Sequence, residues 1–222
     1  MAKEIVLFVL FSIVHLLAIV TITKEDLFYL PSKIIPILIL IVSLFRFFPS
    51  LEKRGKLVAV GLVFSLFGDS FLAIPKEGYF VPGLGSFLVA QLIYSYAFTI
   101  DSKIKPLLAI PFLLFGSSFF MVLAPKLGAL MIPVGFYISA ICLMGWRAAS
   151  RNSISKPFYL GLLGALVFIL SDSIIAYSMF LNREMDRSLA SLGIMITYYL
   201  AQLLIYAATK TEELDVQSVK NT

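Results

Sequence analysis

The sequence contains little charge, one cysteine and one histidine, and each scarcity excludes a class of protein. Charged residues make up 14% of its 222 residues, whereas a typical soluble domain carries about 25%. The lone Cys142 cannot form a disulfide within the chain, so it says nothing about a redox compartment. With one histidine and one cysteine, the chain also has no His/Cys cluster with the spacing of a metal site.

Familiar catalytic motifs are missing as well. The sequence has no nucleophile elbow, no phosphate-cradling glycine loop and no P-loop. Its formal charge of +5 does not indicate nucleic-acid binding, because nearly all the basic residues lie in loops, where they orient membrane proteins. We therefore expect no metal, no cofactor and no nucleic-acid partner. For an enzyme, acid–base chemistry on a membrane-soluble substrate is what remains.

What the sequence does contain is apolar runs. Hydrophobic residues make up 60% of the chain, and the runs reach roughly 18 to 25 residues, the length with which a helix crosses a bilayer. We predict an all-α, polytopic membrane protein whose first helix is retained and not cleaved as a signal peptide. Its eight transmembrane helices are expected near residues 5–22, 29–48, 57–74, 80–100, 106–123, 127–148, 157–181 and 187–208.

The same pattern predicts one transmembrane domain, residues 1–208, and a polar, disordered tail, residues 209–222. The connections on one side carry most of the lysines and arginines, as in the segment around Lys53, Arg54 and Lys56. The positive-inside rule then places both termini in the cytoplasm. The expected location is a bacterial inner membrane. The sequence does not indicate an oligomeric state.

Two pairs of segments indicate an internal duplication. FSLFGDSFLA begins at residue 64 and VFILSDSIIA at residue 167, an offset of 167 − 64 = 103. AQLIYSY begins at residue 90 and AQLLIYA at residue 201, an offset of 201 − 90 = 111. We expect a parallel 4+4 repeat about a pseudo-twofold axis along the membrane normal, with Asp69 and Asp172 facing each other across it. The alternative is a chance resemblance between apolar helices.

Polar residues inside the predicted spans are the candidate functional groups, because an unpaired charge at mid-bilayer costs at least ~3 kcal/mol. Asp69, Asp172, Lys33 and His15 fall at similar depths in the outer half of the membrane. These depths predict a polar, water-accessible cavity that opens outward. The uncharged polar residues nearer mid-membrane are Gln91, Tyr94, Tyr137, Tyr198, Tyr199 and Gln202.

Each of these residues also has a structural interpretation. Lys33 is either an ion-pair partner for an aspartate or a side chain that snorkels to the headgroups. His15 is more often a hydrogen-bonded packing residue than a catalyst. The tyrosines and glutamines are also typical of hydrogen bonds between helices, the interpretation we favour for Tyr198. Two matched aspartates, however, are more than helix packing requires, and of two neighbouring acids in an apolar site one keeps its proton. Such a pair can protonate a substrate, stabilise a cation and activate water.

Several segments, in the same order along the chain, resemble the YhhN/TMEM86 family. They are SKIIPILIL in the second span, FSLFGDSFLA, the Tyr137 segment, GALVFILSDSIIAY and the closing TYYLAQLLIY. The GD and SD pairs together with the terminal YYLAQ are the specific part of the resemblance. Many family members have histidine where this chain has Gln91.

The resemblance implies a lysoplasmalogenase, an enzyme that hydrolyses the vinyl ether bond of lysoplasmalogens to a fatty aldehyde and glycerophosphocholine or glycerophosphoethanolamine. It places the catalytic acids at Asp69 and Asp172 and implies that the reaction needs no metal. The expected partners are a lysophospholipid substrate and the surrounding membrane lipids. Lys33 and His15 would meet the phosphate. The residues expected to orient the vinyl ether or water are Gln91, Tyr94, Tyr137, Tyr199 and Gln202.

Other functions remain open from the residues alone. A proton-coupled transporter or a lipid-binding protein could use the same aspartates, since repeats and membrane acids are also features of transporters. Another enzyme of lipid metabolism is a further alternative. An intramembrane aspartyl protease is disfavoured, because Asp69 follows Phe67-Gly68, which breaks the GxGD motif, and because the PAL motif is absent.

Overall fold

The computed structural model describes residues 2–76, 78–100, 102–152 and 155–220, except for the side chains at positions 217, 219 and 220. Over these residues the fold is all-α, as predicted, and the apolar helices make the chain a multi-pass membrane protein. The helices are α1 (Ala2–Thr21), α2 (Tyr29–Phe45), α3 (Lys53–Ala73), α4 (Phe80–Thr99), α5 (Ile110–Leu127), α6 (Met131–Ala149), α7 (Lys156–Ala176) and α8 (Arg187–Lys220).

Length and composition identify six stretches of the described residues that could cross a membrane, together with the shorter apolar helix α2. One of the six, Pro106–Ala149, covers 44 residues, about twice what a bilayer needs. This stretch turns back on itself at Gly128, whose φ of +53° suits glycine. Gly116 then packs against Cys142, and Gly145 packs against Phe112. The stretch is therefore a hairpin of α5 and α6.

The helix boundaries follow local chemistry. Pro111 and Pro157 lie in the first turns of α5 and α7, where their missing N–H groups cost nothing. Pro36 lies inside α2, which has 17 residues and is about 25 Å long at 1.5 Å per residue. The π-helical turn Tyr177–Leu181 extends α7.

Close packing of α3 with α4 and of α7 with α8 forms the centre of the fold. A side chain at Gly61 would overlap the ring of Tyr94. One at Gly164 would come within 3.1 Å of backbone atoms of α8, including the carbonyl oxygen of Ala201. Glycine at these positions therefore allows the helix axes to approach. Large apolar side chains face outward instead on α1 and α5, as expected for surfaces in contact with lipid.

Helix α8 continues to Lys220, although the sequence predicted disorder from residue 209; residues 221 and 222 lie outside the described residues. The acidic residues of this extension explain its order. Glu212 forms ion pairs with Arg54 and, at 3.1 Å, with Arg151. Glu213 accepts a hydrogen bond of 3.0 Å from the backbone N–H of Glu52. The acidic side chains of this segment therefore dock it onto the basic end of the helix bundle.

Candidate active site

Asp69, near the end of α3, is a buried carboxylate with a cationic partner. It is 2% exposed. The Lys33 ammonium lies 3.3 Å from Oδ1 and also donates a hydrogen bond of 3.2 Å to the Asp69 backbone carbonyl oxygen. The Tyr198 hydroxyl donates a hydrogen bond of 2.5 Å to Oδ2. Both carboxylate oxygens therefore have partners, as a charge buried away from water requires.

Asp172, on α7, is half-buried, and its hydrogen-bond donors among the described residues are neutral. The Tyr137 hydroxyl donates a hydrogen bond of 2.6 Å to Oδ2, and the Gln91 amide Nε2 donates one of 2.9 Å to the same oxygen. No described residue makes a hydrogen bond to Oδ1. One carboxyl oxygen of Asp172 is therefore fixed, and the other stays available.

The two sites match when the chain is divided into α1–α4 and α5–α8. Each aspartate takes one donor from the second helix of its own half, Lys33 for Asp69 and Tyr137 for Asp172. Each takes its other donor from the last helix of the opposite half, and these donors are Tyr198 and Gln91. The helices that supply the donors correspond in the two sites, but the second helix supplies a cation to Asp69 and a phenol to Asp172.

Asp172 lies in the wall of a narrow apolar pocket with a cavity volume of about 50 Å³. A single water needs roughly 10–15 Å³ on this measure, so the cavity holds a few waters or a thin alkyl segment. The sequence predicted a polar cavity, but the lining of this pocket is mostly apolar. Most of the polar side chains of the spans form hydrogen bonds with one another instead. The pocket is lined by Leu72, Phe80, Leu84, Phe87, Phe115, Phe119, Val134, Tyr137, Ile138, Ile141, Ile169, Asp172, Ser173, Ile175, Ala176 and Phe180.

An aromatic cluster of Phe87, Phe168 and Tyr198 connects the two aspartate sites. The Tyr198 ring centroid lies 5.7 Å from that of Phe87 and 5.7 Å from that of Phe168, with both pairs edge-to-face. Tyr198 holds Asp69, while Phe87 lines the pocket. Gly68 makes room for this arrangement, because a Cβ there would lie 2.5 Å from the Phe87 ring.

Tyr94 and Gln202, predicted to orient the substrate, form a separate buried network. The Tyr94 hydroxyl donates a hydrogen bond of 3.0 Å to Gln202 Oε1, and Gln202 Nε2 donates one of 2.9 Å to Ser65 Oγ. Neither Tyr94 nor Gln202 lines the apolar pocket. Their contacts join α3, α4 and α8 directly.

His15 and Tyr199 lie on the other side of Lys33, away from Asp172's partners. His15 is 0% exposed, and its Nδ1 lies 2.9 Å from Ser32 Oγ. Its ring packs edge-on against those of Tyr29 and Tyr199. The Tyr199 hydroxyl donates a hydrogen bond of 2.7 Å to the Lys33 carbonyl oxygen. Both residues thus hold the segment that carries Lys33.

A basic rim lies near the end of α1 and the start of α8. Partial desolvation lowers the pKa of Lys24, whose side chain keeps contact with solvent, and the positive charges of Lys33 and Arg187 lower it further. Lys24 therefore lies close enough to Lys33 and to Arg187 to be repelled by both. An anion bound between them would relieve this repulsion.

Two contacts of this site were not predicted from the sequence. Tyr198 was interpreted as a residue that joins helices, but it binds Asp69 directly. Its spacing of four residues from Gln202, one helical turn, was the available signal that both face the interior. The Ser171 hydroxyl donates to the Ile194 carbonyl oxygen across α7 and α8 at 3.1 Å, which no pattern indicated. Among the described residues, no group of three His, Cys, Asp or Glu side chains could hold a metal ion.

Comparison with known proteins identifies the family. A model of the YhhN family matches residues 28–209, most of the chain. The chain belongs to the YhhN family. It is 37% identical to lysoplasmalogenase TMEM86A of Bos taurus over 158 residues, which cover 67% of this chain and 62% of that protein. It is 34% identical to lysoplasmalogenase TMEM86B of Homo sapiens over 173 residues, which cover 78% of this chain and 71% of that protein.

TMEM86A of Homo sapiens gives a similar result, with 35% identity over 154 residues, covering 67% of this YhhN chain and 62% of the human protein. The chain thus spans a little under two thirds of the length of the TMEM86A proteins that it matches. No solved structure matches it.

Proposed function

We propose that this YhhN protein is a lysoplasmalogenase-type hydrolase that cleaves the vinyl ether bond of a lysoplasmalogen. The observation that carries the proposal is Asp172, a carboxyl group in the wall of an apolar pocket, to one of whose oxygens no described residue makes a hydrogen bond. A buried, ionised second carboxylate, Asp69, lies behind the pocket wall. The names of the relatives support the choice of reaction.

The chemistry requires little more than these groups. Protonation of the alkene carbon turns the vinyl ether into an oxocarbenium ion, which water then captures. One carboxylic acid supplies the proton, and the negative charge of the other favours the cation, much as paired carboxylates act in glycoside hydrolysis. The products are a fatty aldehyde and glycerophosphocholine or glycerophosphoethanolamine. No step of this route needs a metal or another cofactor.

The pocket and the basic rim suggest how a lysophospholipid binds. The apolar pocket beside Asp172 accepts the start of the alkenyl chain. Lys33 is engaged by Asp69 and His15 is fully buried, so we now assign the phosphate to the rim of Lys24 and Arg187. Lys33 and His15 then do not contact the phosphate. Lys33 contributes its charge, and His15 contributes packing.

We further propose eight crossings with both termini in the cytoplasm of a bacterial inner membrane. The α5–α6 hairpin provides two crossings within one long apolar stretch, and α2 is nearly long enough to make another. The excess of lysine and arginine in connections such as residues 46–56 supports the orientation.

A parallel 4+4 duplication fits the packing as well as the sequence. Gly61 lies against Tyr94, and Gly164 lies against Ile205. These pairs are related by 164 − 61 = 103 and 205 − 94 = 111, the offsets of the two sequence matches. The matched donors to Asp69 and Asp172 also support the duplication.

The direct test is aldehyde release by the purified protein, with products from a lysoplasmalogen and from an ordinary lysophospholipid compared by mass spectrometry. We expect a fatty aldehyde from the first substrate only. Asp69→Asn and Asp172→Asn should each lower the rate by about 10²–10⁴ while the protein stays folded. Asp215→Asn, an exposed carboxylate on α8, is the matched control. Wild-type rates in both site variants would refute the mechanism.

Lipid binding or proton-coupled transport is the alternative that the buried ion pair and the apolar pocket also permit. Uptake of a lysolipid into proteoliposomes without any aldehyde product would favour that alternative over hydrolysis.

A further inference from the structure

We propose that Asp172 is the group that protonates the substrate, that Gln91 holds the attacking water beside it, and that Asp69 is a positioning residue without substrate contact. This division of roles rests on the proposed function and deepens it. It follows from three differences between two sites that are otherwise arranged alike.

The first difference is the partner from the second helix of each half. Asp69 has the Lys33 ammonium at 3.3 Å, and protonating this carboxylate would leave a buried lysine unpaired, which is strongly unfavourable. Asp172 has the Tyr137 phenol at 2.6 Å in the corresponding place. A phenol forms a hydrogen bond with a carboxyl group in either protonation state. Asp69 is therefore the ionised member of the pair, and Asp172 is free to carry a proton.

The second difference is access. Asp172 lines the apolar pocket, whereas Asp69 is 2% exposed and does not line it. Both neutral donors to Asp172, Tyr137 and Gln91, bind Oδ2. Donors on Oδ2 stabilise negative charge there, so the proton of the neutral acid belongs on Oδ1. Oδ1 makes no hydrogen bond with a described residue, and this is the oxygen that can reach a substrate.

The third difference is a buried acceptor next to Asp172. Gln91 is 0% exposed, and its Oε1 is fully buried with no hydrogen-bond partner among the described residues. The amide orientation follows from the network, because only Nε2 can donate to the carboxylate. A buried carbonyl oxygen is unfavourable without a donor. A water bound to Oε1 would be held by the same amide group that donates to Asp172. It would therefore lie close to the substrate carbon that it attacks.

The reaction then balances within this unit. The Asp172 Oδ1–H proton passes to the alkene carbon distal to the ether oxygen, and the π electrons form the new C–H bond. The water on Gln91 adds its oxygen to the resulting oxocarbenium carbon and gives a proton to the Asp172 carboxylate, which restores the acid. The hemiacetal then breaks its C–O bond to glycerol. Its hydroxyl proton moves to the glycerol oxygen, and the aldehyde is released.

The first experiment separates the two acids. Asp172→Asn should lower kcat by about 10²–10⁴ and still bind a saturated 1-O-alkyl lysophospholipid, which lacks the double bond, as tightly as wild type. Asp69→Asn should also lose activity, because Lys33 is left unpaired. The double variant Asp69→Asn with Lys33→Met removes both charges, and we expect it to recover at least about tenfold over Asp69→Asn alone. Recovery of this kind requires that part of the loss in Asp69→Asn come from the unpaired Lys33 and not from a missing proton donor.

The second experiment tests Gln91 by a product ratio that does not depend on total activity. Methanol competes with water for the oxocarbenium ion and gives a mixed acetal in place of the aldehyde. We expect Gln91→Leu to raise the acetal-to-aldehyde ratio by about tenfold, since one ordered hydrogen bond to water is lost, and Ser95→Ala, one turn further along α4, to leave it unchanged.

Clear outcomes would overturn the inference. In one such outcome, wild type and Asp172→Asn are both active, and the double variant is as inactive as Asp69→Asn. This result would make Asp69 the acid and leave the proposed function intact. An unchanged acetal ratio in Gln91→Leu would remove the water site. A wild type that binds the saturated lipid but releases no aldehyde would instead refute the proposed function.

Discussion

Replacing Gly68 by alanine tests how tightly the fold constrains the two aspartate sites. The added Cβ would lie 2.5 and 2.6 Å from two ring carbons of Phe87, whereas carbon atoms prefer about 3.5–4.0 Å. The ring must therefore withdraw by about 1 Å. It cannot do so freely, because it packs edge-on against Phe168 and Tyr198 at centroid distances of 6.3 and 5.7 Å.

The magnitude follows from two opposing effects. Overpacking of a close-packed interior costs about 1–3 kcal/mol, and replacing glycine within a helix returns about 0.5–1 kcal/mol. We expect Gly68→Ala to lower the free energy of unfolding by about 1–2 kcal/mol. For a chain of this size that lowers Tm by roughly 2–8 °C. Movement of Tyr198 should also lengthen its hydrogen bond to Asp69 and lower the rate of aldehyde release.

The assay is thermal unfolding in detergent, followed by aldehyde release under identical conditions. Gly85→Ala is the matched control, because Gly85 is exposed on α4 and nothing lies within 4 Å of an added Cβ. That change should raise Tm slightly. If Gly68→Ala unfolded at the wild-type temperature and kept the wild-type rate, Phe87 would not be constrained and the proposed coupling between pocket and ion pair would be wrong.

Two further predictions concern the docked end of α8 and the pocket. Glu212→Gln removes an ion-pair partner from two largely buried arginines and should lower the free energy of unfolding by about 1–3 kcal/mol. Asp215→Asn should not lower it. Equal melting temperatures for the two variants would contradict the docking. Ala176→Phe fills part of the pocket and should raise KM for long chains more than for short ones, since each excluded methylene costs about 0.8 kcal/mol. Leu170→Phe, exposed on the same helix, should not alter this preference.

The sequence was sufficient to locate the aspartates and to offer Lys33 as an ion-pair partner, but it did not identify their other partners. Asp69 and Asp172 stand out because carboxylates are scarce in apolar runs and because the runs around them match. Tyr198 lies 129 residues from Asp69, and such a contact depends on the rotation of α8 about its axis. One sequence contains no signal for that rotation beyond helical spacing. The hydrogen bond between Tyr198 and Asp69 was therefore found only in the structure.

The predictions about exposure failed for a physical reason. Counting polar residues at similar depths predicted a polar cavity, on the assumption that each side chain faces water. Instead Tyr94 and Gln202 bond each other, and Lys33 bonds Asp69, so most of the polar set is consumed within the interior. In the polar segment after residue 209, Glu212 likewise pairs with two arginines. Composition reports how polar a segment is, but it does not report which groups pair.

The proposed duplication would explain how one fold obtains two acids with the different roles proposed for them. Symmetry alone would give Asp69 and Asp172 equal surroundings, and neither carboxyl group would then be favoured as the one that carries the proton. The partner from the second helix of each half differs, Lys33 in one and Tyr137 in the other, and this difference removes that ambiguity. It fixes charge on the carboxylate that is sealed in the interior. It leaves the neutral, proton-carrying state to the carboxyl group that lines the pocket, where a vinyl ether could receive the proton.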